Sequence, residues 1–319
     1  MKKILETDRL YLRQFIKGDT LDLFQLNNNP EVLRFTGDVP FTSSQETQAF
    51  IDHYFKNVYY NPTNGAPTHL GRLAVMRKTD HVFLGWCGLK FNSTINAVDL
   101  GFRFHQYFWN RGFATESARK VIEYAFRELK LIQLIAHAHI NNKASQVVLI
   151  KCGFTEKEQI IYDNQPTLLY YLKNTEFELR EITAAETWPV RHPVLRKNRP
   201  LEDVYMESDE KESTFHLGVF HNSKIVGVAS FMEDTHPDFS GFQSRLRGMA
   251  VLDEYRKKGI ARWLLEHGEK ILKNRNRSLL WFNARANALS FYKNLGYKMT
   301  SEEFHISQVG PHYTMKKEL

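Results

Sequence analysis

The chain states one order of secondary-structure elements twice, and that repetition constrains its fold more than any single motif. "RLYLRQF" (Arg9–Phe15) alternates like a half-buried strand, and a helical pattern starts at Asp19. "EFELREI" (Glu176–Ile182) does the same and precedes a helical pattern over Thr183–Leu195. Two hairpin-like runs follow in each half, turning at Lys78-Thr79-Asp80 and at His221-Asn222-Ser223. Then "DLGFRFHQYFWNRGFATESARKVIEYAF" lines up with "RLRGMAVLDEYRKKGIARWLLEHGEKIL", each reading as strand, loop, glycine and helix. Apolar positions fall at helical spacing in both helices: Ala114, Ala118, Val121, Ile122 and Ala125 in the first, Ile260, Leu264, Leu265, Ile271 and Leu272 in the second. A further strand comes next ("LIQLIAHAHI", "SLLWFNA"), then a short helix that a glycine stops, Gly153 or Gly296.

The order β-α-β-β-β-α-β-α-β thus occurs twice, with a unit of about 150 residues, far beyond the period of a solenoid. The 319 residues suffice for two domains with a core each. Domains over 1–173 and 174–319 are expected, joined in the polar stretch Lys173–Thr175.

Apolar residues at 42% and charged residues at 25% describe a globular protein. The net charge of +7 is shared between the halves, whereas a dedicated nucleic-acid binder concentrates its excess on one face. Nucleic acid is therefore not an expected partner. No apolar run approaches the roughly 18 residues of a membrane span, so a cytoplasmic protein without membrane contact is expected. Cys87 and Cys152 lack metal-ligand spacing, no metal is expected, and Cys152 in "LIKCGF" reads as a buried thiol.

The loop "RKKGIA" (Arg256–Ala261) sits between strand and helix. The first turn of a helix offers unpaired backbone N–H groups and the positive end of the helix dipole. Gly259 permits close approach of a ligand, and small Ala261 does not block it. A pyrophosphate fits such a seat. Arg256, Lys257, Lys258 and Arg262 add positive charge. Taken alone, the pattern favours an amphipathic helix with a solvated basic start; its place at a strand-to-helix junction, at the matching position of a duplicated unit, favours the anion seat. Its counterpart "QYFWNRGFATESA" keeps the glycine and the small residue but has only Arg111 as a basic residue. The repeated feature is the turn and helix start, not the charge.

On these stretches, together with "NARANALSFYKNLGYKM" and the closing "GPHYTMKK", the second half resembles the GNAT superfamily of acetyl-CoA-dependent N-acetyltransferases. The first half, through "ETDRLYLR" and "NNKASQVVLIKCGF", resembles its RimJ/RimL branch. The resemblance implies an α+β fold of two tandem domains, each a mixed, splayed, twisted β-sheet flanked by helices. It implies acetyl-CoA as cofactor and a primary amine as acceptor, either a small molecule or a peptide N-terminus. Carried over residue by residue, backbone groups of Met249 and Val251 would hold pantetheine and the thioester oxygen. Amides of Lys257, Lys258, Gly259, Ile260, Ala261 and Arg262 would take the pyrophosphate. The first-half counterparts are Phe102 and Phe104, then Asn110, Arg111, Gly112, Phe113, Ala114 and Thr115, with Trp109 where many members carry Gln or Arg.

The chemistry requires an amine freed of its proton, a donor to the developing oxyanion and an acid for the departing thiolate. Tyr292, four residues before Gly296, matches the family's tyrosine acid, and a core aromatic is the alternative. Leu149 stands there in the first half, where Asn142 and Ser145 instead match an Asn-x-x-Ser pattern. Ser145 would bond the thiolate and Asn142 the pantetheine, or Asn142 caps the helix. Asp99 is the candidate base of the first half, with a plain edge carboxylate as alternative. Arg285 replaces the usual asparagine of the second half, and Asn283 or Asn287 would substitute. Its base is open among Glu202, His216, Glu303 and His305. Phe35 and Tyr54, in or near the lid "FTGDVPFTSSQETQAFIDHYF", would line the first acceptor pocket or simply pack in the core. A binding or sensing module for acetyl-CoA or another phosphate ligand, without transfer, is the alternative function for one or both halves.

Overall fold

The alternating runs fold as strands, and their pairing makes two separate eight-stranded sheets. The computed structural model describes residues 3–54, 70–92, 95, 97–306 and 309–319. Residues up to Asn174 form one compact unit, and Thr175–Leu319 form the other.

The first unit runs β1 (Lys3–Glu6), β2 (Leu10–Arg13), α1 (Thr20–Asn27), α2 (Pro30–Leu33), α3 (Ser44–Tyr54), β3 (Arg72–Arg77), β4 (Phe83–Asn92) and β5 (Ala97–Phe104). It continues with α4 (Phe113–Arg127), β6 (Gln133–His139), α5 (Lys143–Lys151), β7 (Thr155–Tyr162) and β8 (Gln165–Lys173). The sheet order is β1-β2-β3-β4-β5-β6-β8-β7. The unit therefore has a strand more at each end than the repeat read from the sequence. The last strand, β8, inserts between β6 and β7. Its "LLYYL" buries Leu169 and Tyr170, whereas "TEKEQ" in β7 is charged and exposed, which suits an edge.

The second unit runs β9 (Phe177–Ile182), α6 (Trp188–Leu195), β10 (Phe215–His221), β11 (Lys224–Met232), β12 (Gln243–Val251), α7 (Ile260–Asn274), β13 (Leu279–Arg285) and α8 (Leu289–Lys293). Three strands close it: β14 (Lys298–Met299), β15 (Phe304–Ile306) and β16 (Gly310–Glu318). The order is β14-β16-β13-β12-β11-β10-β9, with β15 on β16. The β10–β11 hairpin turns on Asn222 and Ser223, both at positive φ, the twist-matching geometry of a two-residue loop.

Both sheets open at the same place. In the first unit the parallel pair β5–β6 is held by a single bridge, Asp99↔Ile135. In the second, β12–β13 pairs only over Gln243–Arg245 with Leu279–Trp281. Beyond these points β5 and β12 run on without a partner on that side. On their other edges the next strands are fully paired, β6 along its length with β8 and β13 with β16, so the openings lie only between β5 and β6 and between β12 and β13.

The helices that follow β5 and β12 bury one stripe each. On α4 it is Phe113, Ala118, Val121 and Ala125, with Ala114 and Ile122 packed at its margin. On α7 it is Ile260, Leu264, Leu265 and Leu272. Cys152 is only half-buried, contrary to the sequence reading. Cys87 on β4 is the fully buried thiol, and burial pushes it up to about 12. Among the described residues no helix is long and apolar enough to cross a membrane, and no cluster of three metal-ligating side chains occurs.

Candidate functional site

Each opening in a sheet leaves strand backbone exposed on one side, which is the first requirement for holding an extended ligand arm. His105 N donates to Leu84 O, so alternation along β5 turns the backbone groups of Arg103 toward β4 and those of Phe102 and Phe104 toward the gap. Leu252 N donates to Val226 O, so Val251 faces the gap in the second unit by the same rule. Met249 lies at a bulge, where the β11–β12 register shifts between Val228 and Ser230 and Gly248 has φ +60°. One expectation needs correction. The Phe104 carbonyl already accepts from Trp109 Nε1 at 2.8 Å, so its N–H is the group of Phe104 that has no such partner.

The two glycine loops share a backbone conformation. Asn110 and Gly112 have φ of 59° and 79°, and Lys257 and Gly259 have 59° and 94°. Left-handed residues at this spacing turn successive N–H groups into one concavity, a nest suited to an anion. Neither α4 nor α7 has a side-chain cap, and the first intrahelical bonds come from Glu116 N and Trp263 N. The amides of Phe113, Ala114 and Thr115, and of Ile260, Ala261 and Arg262, therefore have no partner within the helix. An uncapped glycine start below an open strand edge fits the pyrophosphate and pantetheine of a CoA thioester.

The charges around the loops differ from the sequence picture. In the second unit Arg256 pairs with Asp253 at 2.7 Å, Arg262 with Glu266 at 2.6 Å, and Lys258 lies 5.8 Å from the Tyr255 ring centroid. In the first unit Arg9, far away in sequence, reaches the loop. Its Nη1 donates to Arg111 O at 3.1 Å, and its guanidinium packs 4.5 Å from the Phe113 ring centroid. Arg9 also pairs with Glu116 in the first turn of α4 at 2.6 Å. Burial would raise the Glu116 carboxyl, but hydrogen bonds from Thr7 and Arg9 outweigh it and hold the group below its ordinary range. Arg9 stands in the quoted stretch "ETDRLYLR", directly before β2, but nothing local in that stretch places it at the Arg111 loop; the fold does.

The candidate proton-transfer groups separate clearly. Tyr292 on α8 is 8% exposed and packs against Phe282 and Tyr297, with ring centroids 4.4 and 5.9 Å away. Burial raises its hydroxyl well above the ordinary tyrosine value, so it stays protonated. Leu149, its first-unit counterpart, is buried in the core. Asn142 caps α5: its Oδ1 accepts from Ser145 N at 3.1 Å, leaving Nδ2 as its donor toward any ligand. The Ser145 hydroxyl makes no hydrogen bond among the described residues. Asp99 is not a plain edge carboxylate. It sits at the vertex of the β5–β6 gap and holds His137 Nδ1 at 2.8 Å. His137 stacks on Tyr162, and its Nε2 is buried without a hydrogen-bond partner.

Two second-unit expectations are overturned or narrowed. His216 is not available as a base, since it is buried with both ring nitrogens engaged, Nδ1 to Ser230 Oγ at 2.6 Å and Nε2 to Asp209 O at 2.9 Å. Asn283 accepts from Thr314 Oγ1 at 3.2 Å, whereas Asn287 is exposed. Glu303 accepts from Tyr313 at 2.9 Å and lies 3.5 Å from His305, and Glu202 is exposed in a short turn.

A cavity of about 200 Å³ lies in the first unit, lined by Asp38, Phe41, Tyr54, Arg72, Trp86 and Arg103 among others. Tyr54 lines this cavity and also packs against the core, whereas Phe35 stacks on His139. Phe55, the last residue of the expected lid, lies outside the described residues. Arg103 is held by Asn27 at 2.6 Å and by Asp38.

Comparison with known proteins gives two consecutive matches. A family described as "Acetyltransferase (GNAT) domain" matches residues 9–155, and one described as "Acetyltransferase (GNAT) family" matches residues 177–297. The uncharacterized N-acetyltransferase YitI of Bacillus subtilis is 34% identical over 143 residues, covering 44% of this chain and 96% of that protein. A second from the same organism, YoaA, is 29% identical over 168 residues, covering 51% of this chain and 91% of that one. Among solved structures, a GNAT-family acetyltransferase from Bacillus anthracis aligns with a TM-score of 0.44 at 21% identity, over 53% of this chain and 97% of that one.

Proposed function

The chain belongs to the GNAT acetyltransferases, as two of their domains in tandem, and from that premise we propose that its second unit transfers acetyl from acetyl-CoA to a primary amine by direct attack within a ternary complex. In acetyl-CoA the acyl group is held as a thioester on the CoA sulfur, and its carbonyl carbon is the electrophile. The observation that supports the reading most is the shared construction of the two units, an open strand edge above an uncapped, glycine-led helix.

In the second unit the backbone of Val251 and Met249 holds the pantetheine arm and the thioester oxygen, and amides from Lys257 to Arg262 hold the pyrophosphate. Asn287 is the exposed amide side chain left to contact the ligand. An N–H aimed at the oxygen where charge develops lowers the barrier without rearrangement. Tyr292, kept protonated by burial, donates its proton to the departing thiolate.

The first unit binds the same thioester through Phe102, the Phe104 N–H and the Asn110–Thr115 nest. Its proton acceptor is the His137–Asp99 pair, with Asp99 orienting the ring, and Ser145 serves the leaving thiolate. A second reading, binding without turnover, is favoured for this unit by Leu149 in place of the tyrosine and by Trp109 on the Phe104 carbonyl.

Calorimetric titration of the whole chain with acetyl-CoA tests the reading. Two sites are expected, one site would restrict binding to a single unit, and zero would overturn the proposal.

A further inference from the structure

In the second unit the sheet face covered by α6 carries an unbalanced cluster of arginines. Arg191 on α6 bonds Ser230 Oγ at 2.6 Å, and Ser230 is directly opposite Arg247, so Arg247 shares that face. Arg245 pairs with Trp281 across the last parallel bridge, so Trp281, Asn283 and Arg285 continue the same face along β13. Arg196, at the C-terminal end of α6, feels the charge of Arg199, Arg285 and Arg191 against that of Asp203, and Arg247 that of Arg245 and Arg191 against that of Asp209 and Asp234.

Two of these guanidiniums are neutralised, Arg191 by Asp209 at 2.6 Å and Arg245 by Asp234 at 2.8 Å. Arg196 donates only to backbone carbonyls, of Asp203 at 3.2 Å and Leu195 at 3.0 Å. Among the described residues, Arg196, Arg247 and Arg285 form no ion pair. All three are partly buried, and burial lowers the proton affinity of Arg196 and Arg247. Partly buried like charges repel, and the arrangement is relieved by an anion. Arg247 directly precedes the Gly248 bulge, two residues before Met249, so the anion would sit beside the open edge.

We propose that the acceptor of the second unit is an amine that also carries a carboxylate, held between Arg247 on β12 and Arg285 on β13 with Arg196 beside them. This deepens, and rests on, the acetyltransferase reading of that unit. A planar guanidinium fork matches a carboxylate, and fixing that group places the amine at the gap. The amine nitrogen then bonds the thioester carbon, the C–S bond breaks, and the proton lost by nitrogen ends on the CoA sulfur, giving an amide and the free thiol.

The test is acetyl-CoA-dependent thiol release by the whole chain with ω-amino acids from glycine to 5-aminovalerate, their methylamides, and spermidine. At least one ω-amino acid is expected to exceed its methylamide tenfold in kcat/KM. Arg247→Gln and Arg285→Gln should each remove that preference by raising KM for the amine, with KM for acetyl-CoA unchanged, and Arg247→Lys should restore part of it. Preference for a methylamide or spermidine, or a carboxylate preference that survives both Gln variants, overturns the substrate class and leaves the transferase reading standing. Absence of thiol release with every amine, despite acetyl-CoA binding, overturns both.

Discussion

The guanidinium of Arg191 occupies the space that a side chain at Gly248 would need, since a Cβ there would lie 2.5 Å from Nε. The bulge next to the open edge of β12 thus packs directly against a buried arginine on α6. Arg191 is locked in turn by Asp209, with both side chains 0% exposed. Gly248→Ala should destabilise the second unit by about 2–4 kcal/mol, combining the cost of a left-handed non-glycine residue with overpacking. Urea unfolding followed by Trp fluorescence measures it, and an unchanged midpoint would refute the contact.

Asp209→Ala should be costlier, about 3–5 kcal/mol, because it strands a buried positive charge. The double variant Arg191→Leu/Asp209→Leu should lose less than Asp209→Ala, since two apolar groups replace the pair. Equal losses in the same assay would count against the desolvation argument.

Tyr292→Phe should cut turnover of the second unit at least tenfold while acetyl-CoA affinity stays within about twofold, since a general acid contributes roughly 10²–10⁴. The ring contacts to Phe282 and Tyr297 survive the change, so stability should move little. Wild-type turnover with the variant would leave Tyr292 a core aromatic.

Gly259→Val and Gly112→Val each place a branched side chain at a left-handed helix start. Each should weaken one acetyl-CoA site and spare the other, which titration of the two variants resolves. A loss of both sites from one substitution would contradict independent seats.

His216 makes the second unit sensitive to acid. A carbonyl only accepts, so His216 Nε2–H donates to Asp209 O, and Nδ1 accepts from Ser230, whose oxygen accepts from Arg191. Burial lowers the His216 pKa below its unfolded value, so the unfolded chain gains a proton first as pH falls. Stability is complete above about 6.5 and declines as pH drops from there toward the folded value. Denaturant midpoints between pH 8 and pH 5 should fall for the wild type and flatten for His216→Gln; parallel curves would remove His216 from the account.

The central order of elements and the two glycine-led helices were legible in the sequence, whereas the extra strands of each unit were not. The gap strands β5 and β12 and the candidate Tyr292 came instead from the resemblance to the GNAT superfamily. The elements and the helix starts rest on short-range rules: side-chain periodicity, a glycine at positive φ, and unpaired amides in a first helical turn. Register and long-range packing decided the rest. Arg9 meets Arg111, Asp99 meets His137, and His216 is withdrawn into a core network, none of which local spacing encodes. The charges of "EYRKKGIARWLLE" were plain to read, yet the fold spends Arg256 and Arg262 on nearby carboxylates. It sets Arg247 and Arg285, far apart in sequence, on one face of β12 and β13, with Arg196 close enough to feel Arg285. A helix start is fixed by the backbone of a few neighbouring residues. Which side chains face one another across a gap is fixed only once every strand has chosen its partner.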